Sequence, residues 1–164
     1  MGANDREFNL IISELNGLMN VDRTMRVALT TLLALQKRRI FQEGQTANNS
    51  KIGTYSTKKT SIATKNQAKN TGKTYFKGGY AEYKTLIGKN PGYVNLRNTD
   101  QMMMDYSVHV LGNNEYGLGF NNDLNFDKTQ WMEEKYNKDI FDESTQEGEA
   151  LENLILIELN KAIK

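Results

Sequence analysis

No acidic residue occurs between Gln45 and Gly78, where the chain carries seven lysines instead: Lys51, Lys58, Lys59, Lys65, Lys69, Lys73 and Lys77. Most of what surrounds them is Thr, Ser, Asn and Gly, and Ile52, Tyr55 and Ile62 are too scattered to build a core face. Such a stretch cannot bury enough apolar surface to offset the entropy of ordering it, so inside a compact domain it is an arm or a disordered loop. The alternation of Lys51–Lys65 also fits an extended hairpin that orders against a neighbour. The chain therefore reads as a single domain over residues 1–164, with 45–78 inserted as a flexible or extended arm. A domain of 164 residues buries roughly 70% of its unfolded surface, so the segments on either side of the arm have to supply a core.

Those segments are periodic. Phe8, Ile11, Ile12, Leu15 and Leu18 recur at helical spacing over residues 5–18. The pattern restarts from Val21 to Glu43 with Met25, Ala28, Leu29, Leu32, Leu33, Leu35 and Ile40, which predicts the main packing helix. Asp22 suits the positive end of that helix, Lys37, Arg38 and Arg39 its negative end, and Gly44 its stop. Beyond the arm, 80–88 reads as a short helix closed by Gly88 and Pro91, 93–97 as a strand, 99–106 as a turn of helix capped by Thr99, and 106–120 as a hairpin. Asp127 with Gln130 three residues on predicts a capping box for the next helix. A last helix at 144–163 presents Leu151, Leu154, Ile155, Ile157, Leu159 and Ile163 on one stripe. The fold class is α+β: N-terminal helices, a long extended arm or hairpin, a small antiparallel sheet packed with helices, and a C-terminal helix.

Little catalytic chemistry is on offer. The chain has no cysteine, which excludes disulfides, thiolate metal sites and cysteine nucleophiles. Its one histidine, His109, alternates with Val108 and Val110 and points away from the core in the strand reading. Thr71-Gly72-Lys73-Thr74 ends like a phosphate-binding loop, but Gln67 stands where the first glycine is required. Asp123, Asn125, Asp127 and Glu134 have the spacing of a calcium loop, but Lys128 replaces its obligatory glycine. A metal-dependent hydrolase or nuclease is motivated only by the acidic cluster Asp123, Asp127, Glu133 and Glu134. Glu133 and Glu134 beside Lys135 read as solvated charge, and Met102, Met103, Met104 and Trp131 as packing. The reading is no catalytic residue, no metal and no cofactor. Neither a basic leader nor an apolar run of membrane-spanning length is present, which predicts no membrane association.

Charge is balanced in sum and segregated in place. With 21 Lys+Arg against 20 Asp+Glu the net charge is +1, yet residues 120–158 hold eleven acids against three lysines. Three readings stay open: a solvated surface, a basic arm on nucleic acid or an acidic partner, or the arm of one subunit against the acidic face of the next.

Three blocks in the second half occur in a recognisable order. They are Tyr80-Ala81-Glu82-Tyr83-Lys84; Val94-Asn95-Leu96-Arg97-Asn98-Thr99-Asp100-Gln101-Met102; and Trp131-x-Glu133-Glu134-Lys135-Tyr136-x-Lys138-Asp139-Ile140-Phe141, the last preceded by Gly119-Phe120. Over about half of the chain, Tyr80 to Leu159, this resembles the virion-morphogenesis proteins of tailed phages, the family of neck, head–tail joining and tail-completion proteins. Asp100 stands where the family commonly has glycine after the threonine, and Asn137 where it often has glycine before the basic residue. The resemblance implies a non-enzymatic virion protein, assembled in the bacterial host cytoplasm as a homo-oligomeric ring (hexamer or dodecamer) that contacts portal, connector and tail proteins. In such a ring Lys51, Lys58, Lys59, Lys65 and Lys69 are expected to touch a neighbouring subunit or packaged DNA without sequence preference. Glu133, Glu134, Asp142 and Glu143 are expected to face the adjacent subunit. The alternative is a small, non-sequence-specific nucleic-acid-binding protein that uses the lysine-rich arm.

Overall fold

The computed structural model describes residues 21–66, 70–112 and 115–162. Helix α1 spans Val21–Lys37 and runs on through a π-helical turn at Arg38–Gln42. Its stripe buries Ala28, Leu29 and Leu32, and the π turn encloses Ile40 and Phe41 completely. Gly44 then leaves the helix at φ +63°, where an added Cβ would lie 2.3 Å from the Val94 carbonyl oxygen, so only glycine fits. The expected main helix is present with a widened last turn; the expected helix at 5–18 lies outside the described residues.

Arg39, expected to suit the negative end of that helix, is buried. The widened turn puts three consecutive residues, Arg39, Ile40 and Phe41, in the interior. The Arg39 Nε donates to Glu147 Oε1 at 2.8 Å, and its terminal nitrogens donate to the carbonyls of Ile140 and Asp142 at 3.0 and 2.7 Å. One guanidinium thus ties the end of α1 to the loop at 140–142 and to the C-terminal helix, using its fork of donors on a carboxylate and carbonyls together.

The segment 45–78 is not one arm. Its first part folds back on the body: Gln45 bridges Lys51, the Thr46 hydroxyl bonds the Asn48 side chain, and Ile52 is fully buried in the core cluster with Tyr55 packed against it. Ile52 and Tyr55, which looked too scattered for a core, succeed because other elements supply the rest of the face. Only the second part is a hairpin, β1 (Thr60–Asn66) paired antiparallel with β2 (Asn70–Phe76), Thr60 opposite Phe76. Phe76 anchors its base edge-on to Tyr83 of helix α2 (Gly79–Leu86), with ring centroids 5.5 Å apart. Gly79 at φ +70° starts α2 where a Cβ would meet the Ser56 and Lys58 carbonyls at 2.5 Å.

The expected strand at 93–97 is irregular backbone: Leu96 sits at φ +52°, which breaks the extended run, and Val94 donates a single bond to the Gly53 carbonyl. Helix α3 (Gln101–Asp105) follows, entered through Asp100 at φ +60° rather than capped by Thr99. Strands β3 (Tyr106–Gly112) and β4 (Glu115–Phe120) make the second antiparallel pair. Helix α4 (Asp123–Tyr136) is capped by Asn122, whose side chain accepts from the Leu124 N–H at 2.9 Å, so Asp127 lies within the helix and not at its start. The capping box belongs to helix α5 (Thr145–Ala162): Ser144 N donates to Glu147 Oε2 at 2.8 Å and Glu147 N to Ser144 Oγ at 3.3 Å. The fold is α+β, with five α-helices and two two-stranded antiparallel sheets among the described residues. Helix α1 packs on α5 and on β3–β4. Phe41, Tyr106, Phe120 and Phe141 interlock at centroid separations of 4.8 to 6.5 Å beside Ile40, Ile52, Val94, Met102 and Ile140.

Candidate functional site

The base of the β1–β2 hairpin, α2, the 94–102 loop and α4 enclose a cleft of about 750 Å³. Its apolar floor includes Val94, Leu96, Met102 and Met132, and its aromatic walls are Tyr55, Tyr80 and Tyr136. Four lysines line it, Lys58, Lys84, Lys128 and Lys135, against a single carboxylate, Asp100.

Lys84 is the unusual member. It is buried on the inner side of α2, with its Nζ 5.0 Å from the Tyr55 ring centroid and 5.5 Å from that of Tyr80. It donates to the Arg97 carbonyl oxygen, and among the described residues no carboxylate forms an ion pair with it. Burial, reinforced by the nearby charge of Lys89, pulls its pKa from the ordinary 10.5 down to about 8. Asp100 opposes that shift from a distance but is already held: Oδ1 accepts from Arg97 Nε and Oδ2 from Lys89 Nζ, each at 2.7 Å. Those two cations, Arg97 foremost, keep the Asp100 carboxyl far below the usual carboxylate range. Burial also pushes the Tyr80 phenol up to about 12, so that ring presents a neutral face to Lys84. Sequence reasoning did not single out Lys84; its signal was its place at the end of the Tyr80–Lys84 block.

The hairpin carries a second cationic surface. Ser61 pairs with Tyr75 and Ala63 with Lys73, and strand alternation puts these four on one face with Lys59 and Lys77 at its base. All six are exposed, Tyr75 to 61%. The expected interaction residues therefore divide. Lys58 and Lys59 are exposed at the hairpin base, Lys65 stands opposite Thr71 on β1, and Lys69 lies outside the described residues. Lys51 is engaged within the chain, donating to the Glu43 carbonyl at 2.7 Å and lying 4.3 Å from the Tyr93 ring centroid.

The acids divide as well. Glu133, expected as solvated charge, accepts from the backbone N–H groups of Ile140 and Phe141 at 2.9 and 3.0 Å and so fastens the loop after α4. Glu134, Asp142 and Glu143 are exposed. Trp131, expected in the core, is 57% exposed on α4, and Met104 is 76% exposed while Met102 packs inward.

The weaker motifs are also placed. Thr71–Thr74 forms part of β2 rather than a loop before a helix, and Asp123, Asn125 and Asp127 lie on α4 rather than in a calcium loop. Among the described residues no three His, Cys, Asp or Glu side chains converge as a metal site. His109 lies in β3 with Nε2 3.3 Å from Ser107 Oγ. No helix among the described residues is long and apolar enough to cross a membrane. Comparison with family models, with curated proteins and with solved structures finds no match.

Proposed function

We propose that the chain is a structural virion protein of a tailed bacteriophage, a ring-forming subunit of the neck joining portal to tail, or a tail-completion protein. The observation that carries this reading is how the resembling blocks are used. Val94, Met102 and Ile140, one or more from each of two blocks far apart in sequence, meet in one core cluster, and the Tyr80–Lys84 block lines the cleft beside them. Both positions where the family pattern has glycine keep the backbone that glycine favours, Asp100 at φ +60° and Asn137 at φ +48°. Asp and Asn are among the few other residues that visit this region readily, so the substitutions preserve the turns.

Surface chemistry points the same way. The exposed lysines of the hairpin and the exposed acids Glu134, Asp142, Glu143, Glu149 and Glu152 sit on different elements, an arrangement suited to head-to-tail contacts that close into a ring. The reading assigns no reaction and no cofactor; the partners are copies of the chain and the portal, connector and tail proteins above and below it.

Light scattering of the purified chain across concentration, together with the protein content of purified particles, tests this. A discrete hexamer- or dodecamer-sized species, or the chain's presence in particles, is expected. A chain that is monomeric throughout and absent from particles overturns the proposal.

The face formed by Lys59, Lys73, Tyr75 and Lys77 favours a second reading, non-specific nucleic-acid binding, because lysines bind phosphate and an exposed ring stacks on bases. Retention on DNA that falls steeply with salt, and is lost when these lysines are neutralised, would favour that reading over the first.

A further inference from the structure

We propose that the cleft between α2 and α4 is a binding site for a carboxylate carried on an apolar body, with Lys84 as its anchoring cation. The ammonium group has three N–H donors, and the one protein oxygen it meets among the described residues is the Arg97 carbonyl. The Nζ otherwise lies against the Tyr55 and Tyr80 rings, and Lys84 forms part of the cleft lining. Asp100, the carboxylate of the cleft lining, is held on both oxygens by Arg97 and Lys89, so among the described residues the site contains a buried cation without a matching anion. A buried charge left in this condition is costly, and an incoming oxyanion relieves that cost.

The surroundings narrow the ligand class. Lys58, Lys128 and Lys135 at the rim add attraction for an anion. Among the described residues no arginine fork or glycine-rich run of backbone N–H groups lines the cleft, so a phosphate would meet only the point charges of lysines and no bidentate or backbone cradle. The floor is instead aliphatic and thioether, so most of the ligand's contact area has to be apolar. A cleft of about 750 Å³ accommodates a small organic acid, and equally an acidic side chain with its apolar neighbour from another chain. Both sources offer the same chemistry. The inference stands apart from the ring assignment and survives its failure.

The test is NMR of the full chain labelled at lysine side-chain carbons, with the Lys84 signal assigned from Lys84→Arg. Sodium benzoate, N-acetyl-glutamyl-leucine amide and inorganic phosphate are titrated in turn. Benzoate or the peptide should shift the Lys84 signal saturably and move its titration midpoint upward, because an opposite charge in contact favours the ammonium form. Tighter benzoate binding marks a free organic acid as the source; tighter peptide binding marks a partner chain. If Lys84→Arg does not fold, Lys58→Ala with Lys135→Ala, both exposed positions, serves instead and should weaken binding by about fivefold, the order expected of two solvent-screened charges. Absence of a saturable shift with both benzoate and the peptide overturns the proposal, as does phosphate binding as tightly as benzoate.

Discussion

At the scale of single residues, two buried cations organise this molecule and they do so in opposite ways. Arg39 is fully matched, with Glu147 on its Nε and two carbonyls on its terminal nitrogens. Lys84 is under-matched, and its pKa near 8 records this. Lysine is ordinarily 10.5, so between about 8 and 10.5 the unfolded chain holds a proton that the folded chain has released. Stability is therefore lowered by the buried charge below pH 8 and recovers as pH rises through that window. The stability of the wild type relative to Lys84→Met, from urea midpoints at pH 7 and pH 10, is expected to improve with pH; a constant difference would show that Lys84 stays charged. The comparison with a variant matters because burial raises the tyrosines Tyr55, Tyr80 and Tyr106, which act in the opposite direction above pH 10. Neither cation was legible as buried in the sequence. Arg39 follows Lys37 and Arg38 in what reads as a basic helix end matched to the helix dipole, and only the π turn, which no local signal announces, carries it inward.

At the scale of elements, periodicity was a good guide wherever an element makes its own face and a poor one wherever several elements share a face. Helices α1, α2 and α5 and the β3–β4 hairpin fall where the apolar spacing put them. Ile52 failed that test because its partners, Ile40, Val94 and Ile140, come from three other segments. Helix starts were misjudged for a related reason: Asp127 and Ser144 both precede a Gln or Glu at the right distance, and only tertiary packing decides which of the two is a cap. The division of 45–78 into a packed part and a hairpin has a measurable consequence. Ile52→Ala is expected to cost about 2–5 kcal/mol, as for other fully buried aliphatic residues. Replacing 61–75 by a short turn, with Phe76 kept, should change the urea midpoint far less, since among the described residues Phe76 is the hairpin side chain buried against α2. Equal losses from both changes would mean that the hairpin is part of the core after all.

At the scale of the whole molecule, the segregation of charge seen in the sequence survives folding only in part. Glu133 and Glu147 are engaged by the chain's own backbone and Arg39, and Lys51 by the Glu43 carbonyl and the Tyr93 ring, so the opposed surfaces are smaller than composition implies. What remains outward among the described residues is solvent-exposed on both sides: Lys58, Lys59, Lys73 and Lys77 at the hairpin, and Glu134, Asp142, Glu143, Glu149 and Glu152. Attractions between such surfaces act through water and are screened over about 10 Å at 0.1 M salt and about 3 Å at 1 M. The internal ion pair is different: the Arg39 and Glu147 side chains are each 6% exposed, and salt reaches them poorly. Raising salt from 0.1 to 1 M should therefore dissociate an assembly built on these surfaces while leaving the urea midpoint of the subunit nearly unchanged. Sedimentation velocity and urea unfolding on the same samples separate the two effects. Assemblies that persist at 1 M salt would place the subunit contacts on the exposed apolar residues instead, with Trp131 of α4 and Leu156 and Ile157 of α5 as the first to substitute.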